Sequence, residues 1–344
     1  RPGAVGPLLR DEPRRSTLRR PRTPPFLGRS GHRVPRREAS VDGGRHRFEQ
    51  SFTWNGFGQL ASLDYPECLT TCAAAAPPRT VTFQYDQGEL VAVPGWAEEI
   101  TYHPAGPWAT VAHANGVTDT QSLDPSGIPR PAELSATGPF AQWPSGPYAY
   151  DAAGNLPATG ADSYAYDLAS RLTRGELAGC APGRSQSYSF DPFGNLTAVT
   201  TDGLLTRTLP TDPTTNRLES ATYDPRGNLT AHDTWTLRYD ASGMPLQRNA
   251  DLHYAYTADG ERIWRGRIST TGTPQTFSLR HLDGTLLREL HLTGLDTPAN
   301  WSWKQDWLHR GPHPLAATAP EAPHHLHHDH LGPPRPPTAE SGHK

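Results

Sequence analysis

Between its turns the chain alternates apolar and polar positions. In Thr234-Trp235-Thr236-Leu237-Arg238-Tyr239 the large side chains Trp235, Leu237 and Tyr239 occupy every second position, and Leu252, Tyr254 and Tyr256 do the same in the next segment. Successive side chains on a strand point to opposite faces, so this period gives one apolar and one polar face. No segment sustains the 3.6-residue period of an amphipathic helix. The pattern predicts an all-β chain of short, half-buried strands.

The punctuation between strands repeats. Tyr150-Asp151-Ala152-Ala153-Gly154-Asn155-Leu156, Phe190-Asp191-Pro192-Phe193-Gly194-Asn195-Leu196 and Tyr223-Asp224-Pro225-Arg226-Gly227-Asn228-Leu229 are three clear copies. Looser ones begin at Trp54, Tyr85, Tyr102, Leu123, Tyr166, Tyr239 and Tyr256; Ser170 stands where one glycine is expected, and the copy at Tyr85 is one residue short. Each position has a physical job. The aromatic residue ends a strand and packs on the sheet. The Asp accepts bonds from backbone N–H groups further on, which starts an Asx turn. Proline presets φ for a type I turn, and glycine takes the positive-φ position that closes it. Leu then begins the return strand. The unit is a β-hairpin, and Gly194 and Gly227 are expected at positive φ.

Tyr150 to Tyr166 and Tyr223 to Tyr239 are each sixteen residues, room for two short strands and two turns. A lone hairpin is barely stable in water, whereas stacked hairpins cover one another's faces and edges. The expected architecture is therefore repeated β-hairpins in one long, curved, spiralling sheet.

Composition agrees. Glycine and proline number 32 and 36 in 344 residues, which argues against long helices. Charge adds a boundary. Residues 1–50 carry thirteen Arg and no Lys against five acids, about +8, while the rest is about −11. This Arg/Pro-rich arm shows no apolar period and is expected to be disordered; a basic arm that binds nucleic acid is the less favoured reading. Three cysteines are too few for a disulfide framework. Cys68 and Cys72 are close enough to pair across a loop, but free buried or loop thiols are favoured, with Cys180 left over. No apolar run is long enough for a membrane helix.

The unit Tyr-Asp-x-x-Gly-Asn/Arg-Leu resembles the YD repeat of Rhs, wall-associated toxin, insecticidal toxin-complex and teneurin proteins. Residues 98–133, with a Tyr-His-Pro-x-Gly turn and a following His-x-Asn-Gly-Val, are similar to a characteristic bacterial Rhs stretch. Asp306-Trp307-Leu308-His309-Arg310, followed by His327-His328-Asp329-His330-Leu331-Gly332-Pro333-Pro334-Arg335, is similar to the start of the Rhs core-associated region. The resemblance covers residues 51–344. It implies a YD-repeat β-array at 51–305 and the start of a truncated core-associated region at 306–344. It also implies a shell that encloses and delivers a C-terminal toxin or effector, itself absent here. The partners implied are the rest of the parent chain and its toxin, with a secretion apparatus or cell-surface glycan as further candidates. The implied location is secreted or at the cell surface. In that family a downstream Asp-Pro-x-Gly-Leu motif, with Pro five residues before the Asp, cleaves the toxin free. Asp124-Pro125-Ser126-Gly127-Ile128 and Asp191-Pro192-Phe193-Gly194-Asn195 have Asp119 and Gln186 at the upstream position and read as ordinary repeat turns. The degraded copies over 51–90 and the proline-rich 333–337 depart from the pattern, and the chain is expected to be a fragment or a decayed copy of a longer protein.

Catalytic chemistry finds little support. His324, His325, His327, His328 and His330 with Asp329 offer metal-ligand types, but neighbouring histidines on a strand alternate faces, so only His325 with His327, or His328 with His330, share one. Most Asp residues sit at repeat turns, where turn chemistry explains them. No phosphate-binding glycine loop and no Gly-x-Ser-x-Gly elbow occurs. The expectation is a non-enzymatic structural protein with no catalytic, cofactor-binding or metal-ligating residue. A cell-surface adhesion module that binds glycan through its repeat face is the alternative.

Overall fold

The computed structural model describes residues 36–41, 44–139, 142–179, 184–267, 272–320, 323–327 and 338–339. Among these the protein is all β: thirty-two short strands and one 3₁₀ turn at Pro298–Asn300, with no α-helix. Every ladder is antiparallel and joins strands that follow one another in sequence. Hairpin follows hairpin, as the period-two pattern and regular turns require.

The hairpins divide into ladders of four, two, five, seven, two and twelve strands. Three of the breaks fall at prolines, which cannot donate a ladder hydrogen bond: Pro94 lies between Glu89–Ala92 and Ala97–Tyr102, Pro147 after Gln142–Pro144, and Pro210 after Leu204–Thr208. The array is thus continuous in chain order while its hydrogen bonding is segmented.

The array folds back on itself. Phe52, Leu63, Tyr65, Val81, Ile100 and Val111 from the first strands share one apolar core with Leu287, Leu308, Leu315 and Ala316 from the last. Beside it, Phe48, Cys68 and Cys72 pack with Trp264, Phe277, Leu290, Leu292 and Trp301. Between Tyr148 and Trp264, in contrast, His232 is the one buried residue among those described. The central repeats are a single layer, and Trp235, Leu237, Tyr239, Tyr254 and Tyr256 are only half-buried there.

Two expectations are corrected. Disorder is expected over residues 1–50, but Arg36–Val41 and Gly44–Trp54 are paired strands. From His46 to Phe52 every second residue is buried. Two of the four inward residues, His46 and Gln50, are polar, so a hydrophobicity pattern hides the strand. Residues 1–35 lie outside the described residues. The cysteines favoured as free thiols, Cys68 and Cys72, are joined by a disulfide across a tight turn, with Cα atoms 5.5 Å apart. Cys180 lies outside the described residues.

Candidate functional site

The repeat turn is the most frequent constructed feature. At Asp191 the backbone N–H donates to the Asn195 carbonyl at 3.0 Å, and Gly194 N–H returns to the Asp191 carbonyl at 3.1 Å. The Asp191 carboxylate accepts from Phe193 N–H at 2.9 Å and from Asn195 N–H and side-chain Nδ2 at 2.8 Å. Asp151 with Asn155 and Asp224 with Asn228 repeat this set. Side-chain hydrogen bonds from those asparagines hold all three carboxyls below the usual Asp value. Asp167 uses Arg171 instead of Asn, and Thr257 substitutes its hydroxyl for the carboxylate. Gly194 and Gly227 have φ of 93° and 88°, as the turn requires, and Ser170 takes the same left-handed region at 59°. The short copy at Tyr85 turns through Gln87 and Gly88, both at positive φ, a two-residue hairpin in place of the longer unit.

A second regularity links neighbouring units. Tyr166 donates its hydroxyl to the Leu156 carbonyl and Tyr239 to that of Leu229, at 3.2 and 2.8 Å. In both, the tyrosine that opens one unit bonds the leucine that closes the previous one. Tyr102 reaches the Leu90 carbonyl in the same way. Guanidinium groups stack on the rings that open other units: Arg130 over Tyr150 at 3.8 Å, Arg171 over Phe190 at 4.8 Å and Arg217 over Tyr223 at 4.9 Å. Arg171, which stands in place of the turn's Asn, therefore reaches forward to the next aromatic.

Where the two ends of the array meet, Asp306 is fully buried and receives two arginines. Arg288 approaches it bidentately at 2.7 and 2.8 Å and Arg79 at 2.9 Å, while Trp303 Nε1–H donates at 3.0 Å. Arg288 also donates from Nη1 to the Pro66 carbonyl and from Nη2 to the Pro77 carbonyl. Tyr65 donates to the Trp307 carbonyl at 2.6 Å, and burial raises its phenol pKa well above the ordinary value. This network joins strands more than 200 residues apart.

A third constellation joins Trp108–His113, Thr118–Leu123 and the segment after Pro323–His325. His113 Nε2 donates to Asp119 at 2.9 Å, and His327 Nδ1 donates to the other carboxylate oxygen at 2.6 Å. His325 Nδ1 lies 3.3 Å from His113 Nδ1. Burial acts to raise the Asp119 pKa, but the imidazole hydrogen bonds outweigh it and hold the carboxyl down at about 2. Burial lowers the His325 pKa to about 4, with the nearby imidazoles adding to the effect.

The structure thus brings the sequence-marked His327 to His113 and Asp119 rather than leaving it paired with His325 alone. His328, Asp329, His330 and the 333–337 prolines lie outside the described residues. Asp124 and Asp191 both sit at repeat turns among their Asx hydrogen bonds. Asp306, prominent in the sequence only through its motif, is the centre of the end-to-end network. Arg79 and Arg288 carried no local signal.

No family model matches the chain, and no curated protein matches it. Solved structures do. The chain is similar to part of a mutant Tc holotoxin pore from Photorhabdus luminescens, with TM-score 0.67 and 16% identity over 86% of this chain. It is similar to TcdB2-TccC3, with TM-score 0.68 and 16% identity over 86%, and to TcdB2-TccC3-TEV, with TM-score 0.68 and 14% identity over 90%. It spans 17–19% of the length of those chains. At such identity the likeness is one of fold: the protein is an antiparallel β-hairpin array like the matched part of those toxin-complex chains.

Proposed function

We propose that the chain is a non-catalytic segment of a Rhs-type shell wall, which in the whole protein encloses a C-terminal toxin or effector until it is delivered outside the producing cell. The observation that supports this reading is the meeting of the two ends of the array at Asp306, Arg288 and Arg79. A single layer of hairpins that bends until its first and last strands pack together has the curvature of a wall. The half-buried aromatic face of the central repeats is suited to cover by further repeats or by a cargo. The titratable groups at the turns are engaged in turn hydrogen bonds, which favours structure over catalysis for them.

Limited proteolysis of the full-length gene product tests the proposal. The segment that follows this array should resist protease concentrations that digest the same segment expressed alone. A segment equally sensitive in both forms contradicts enclosure. So does a full-length protein that binds immobilised glycan while protecting no segment, which is the behaviour of an adhesion module.

A further inference from the structure

We propose that His113, Asp119 and His327 form a zinc site that ties the hairpin at residues 108–123 to the C-terminal end of the array. One ligand atom from each, all within 4.8 Å of one another, converges from three separate stretches of chain. Ligands around a tetrahedral zinc, with bonds of about 2.0–2.2 Å, lie roughly 3.3–3.5 Å apart. Small ring rotations close that difference. Two imidazoles and one carboxylate are a borderline donor set, suited to zinc and unlike the all-oxygen shells of calcium or magnesium.

The environment also fits. The His113 side chain is 1% exposed and that of His327 4%, so both rings are fixed by packing, while Asp119 at 12% keeps the edge through which an ion and a completing water enter. Zinc would replace the two N–H groups that now point at Asp119. For His113 the ring proton then resides on Nδ1, which faces Nδ1 of His325 at 3.3 Å. A ligating histidine commonly donates its second N–H to a nearby acceptor, which fixes the ring, and the His325 Nδ1 lone pair can serve as that acceptor here. The two imidazoles satisfy the buried carboxylate by hydrogen bonds, and the same three side chains offer a cation a ready donor set that would join residues 208 apart in sequence.

The test uses the chain stripped with chelator, dialysed and titrated with zinc chloride alone by calorimetry. One equivalent should bind, and the melting temperature should rise with zinc. Asp119→Asn and His327→Gln should each weaken binding by about 100-fold or more, beyond the 10–100-fold typical of losing an outer-shell partner. A His324→Ala/His328→Ala double variant should bind as the parent does. Because a variant at the cluster could unfold, cobalt(II) replaces zinc in the unaltered chain as an independent reading, and intense visible bands of a four-coordinate ion are expected. The site is overturned by absence of stoichiometric binding, by binding that survives in both cluster variants, by binding lost in the double variant, or by a pale octahedral cobalt spectrum.

Discussion

Asp191 shows how much a single turn residue does. Its carboxylate satisfies backbone donors at Phe193 and Asn195 and orients the Asn195 side chain, so that Gly194 closes the loop at a φ of 93°. Replacing Gly194 or Gly227 with Val places a β-branched residue in the left-handed region and should cost about 1–3 kcal/mol. At Gly227 an added Cβ would also come within 3.2 Å of the Arg217 guanidinium. Denaturant melts of both variants check this, and unchanged midpoints would contradict the turn. The carboxyls of Asp151, Asp191 and Asp224 are depressed, chiefly by their asparagines, so the folded state binds protons less readily than the unfolded one. Their contribution is complete above the unfolded value of about 4 and is lost as pH falls through the lower folded value. Acid titration of an Asp151→Asn/Asp191→Asn/Asp224→Asn variant should therefore show a flatter loss of stability below pH about 4 than the parent. Turn chemistry was legible in the sequence because it spans only a few residues. Even Ser170, out of pattern, keeps the turn by adopting a φ of 59°.

At the scale of the element, the Tyr-to-Leu carbonyl bond sets how one unit docks on the last. Tyr166→Phe and Tyr239→Phe should each destabilise by about 0.5–1.5 kcal/mol. Because the two bonds lie in different units, the losses should add in the double variant. Thermal melts of the two single variants and the double measure this. Phe190 is a natural case of the same replacement, and Arg171 stacked on its ring holds that unit instead. The bond was hidden in the sequence because it links units, although the shared ten-residue step from Leu156 to Tyr166 and from Leu229 to Tyr239 marks it in retrospect. The first long strand was missed for a different reason. Arginine density and prolines suggested disorder, and the inward positions His46 and Gln50 interrupted the apolar alternation. Phe48, 2% exposed in the core with Phe277 and Trp301, now supplies the test. Phe48→Ala should cost about 3–5 kcal/mol by denaturant melt, and a neutral substitution would restore the disordered arm.

The whole molecule depends on contacts that no local pattern reveals. The alternation of apolar residues identified strands but not which distant strands share a core. Likewise, His113 and Asp119 gave no sign that His327 would meet them. The two arginines on Asp306 sit among the residues that join both ends. Removing one partner of a buried ion pair strands the other charge and costs about 3–5 kcal/mol. Hydrogen exchange on the parent and on Asp306→Asn measures the consequence most directly. In the parent, strands within 48–113 and 264–318 should exchange slowly and the central single-layer repeats faster. In the variant, both terminal regions should gain exchange together while the 150–260 turns stay as they were. Faster exchange in the C-terminal strands alone, with the N-terminal strands unmoved, would show that the two ends do not form one body and would contradict a wall whose first and last strands share a core.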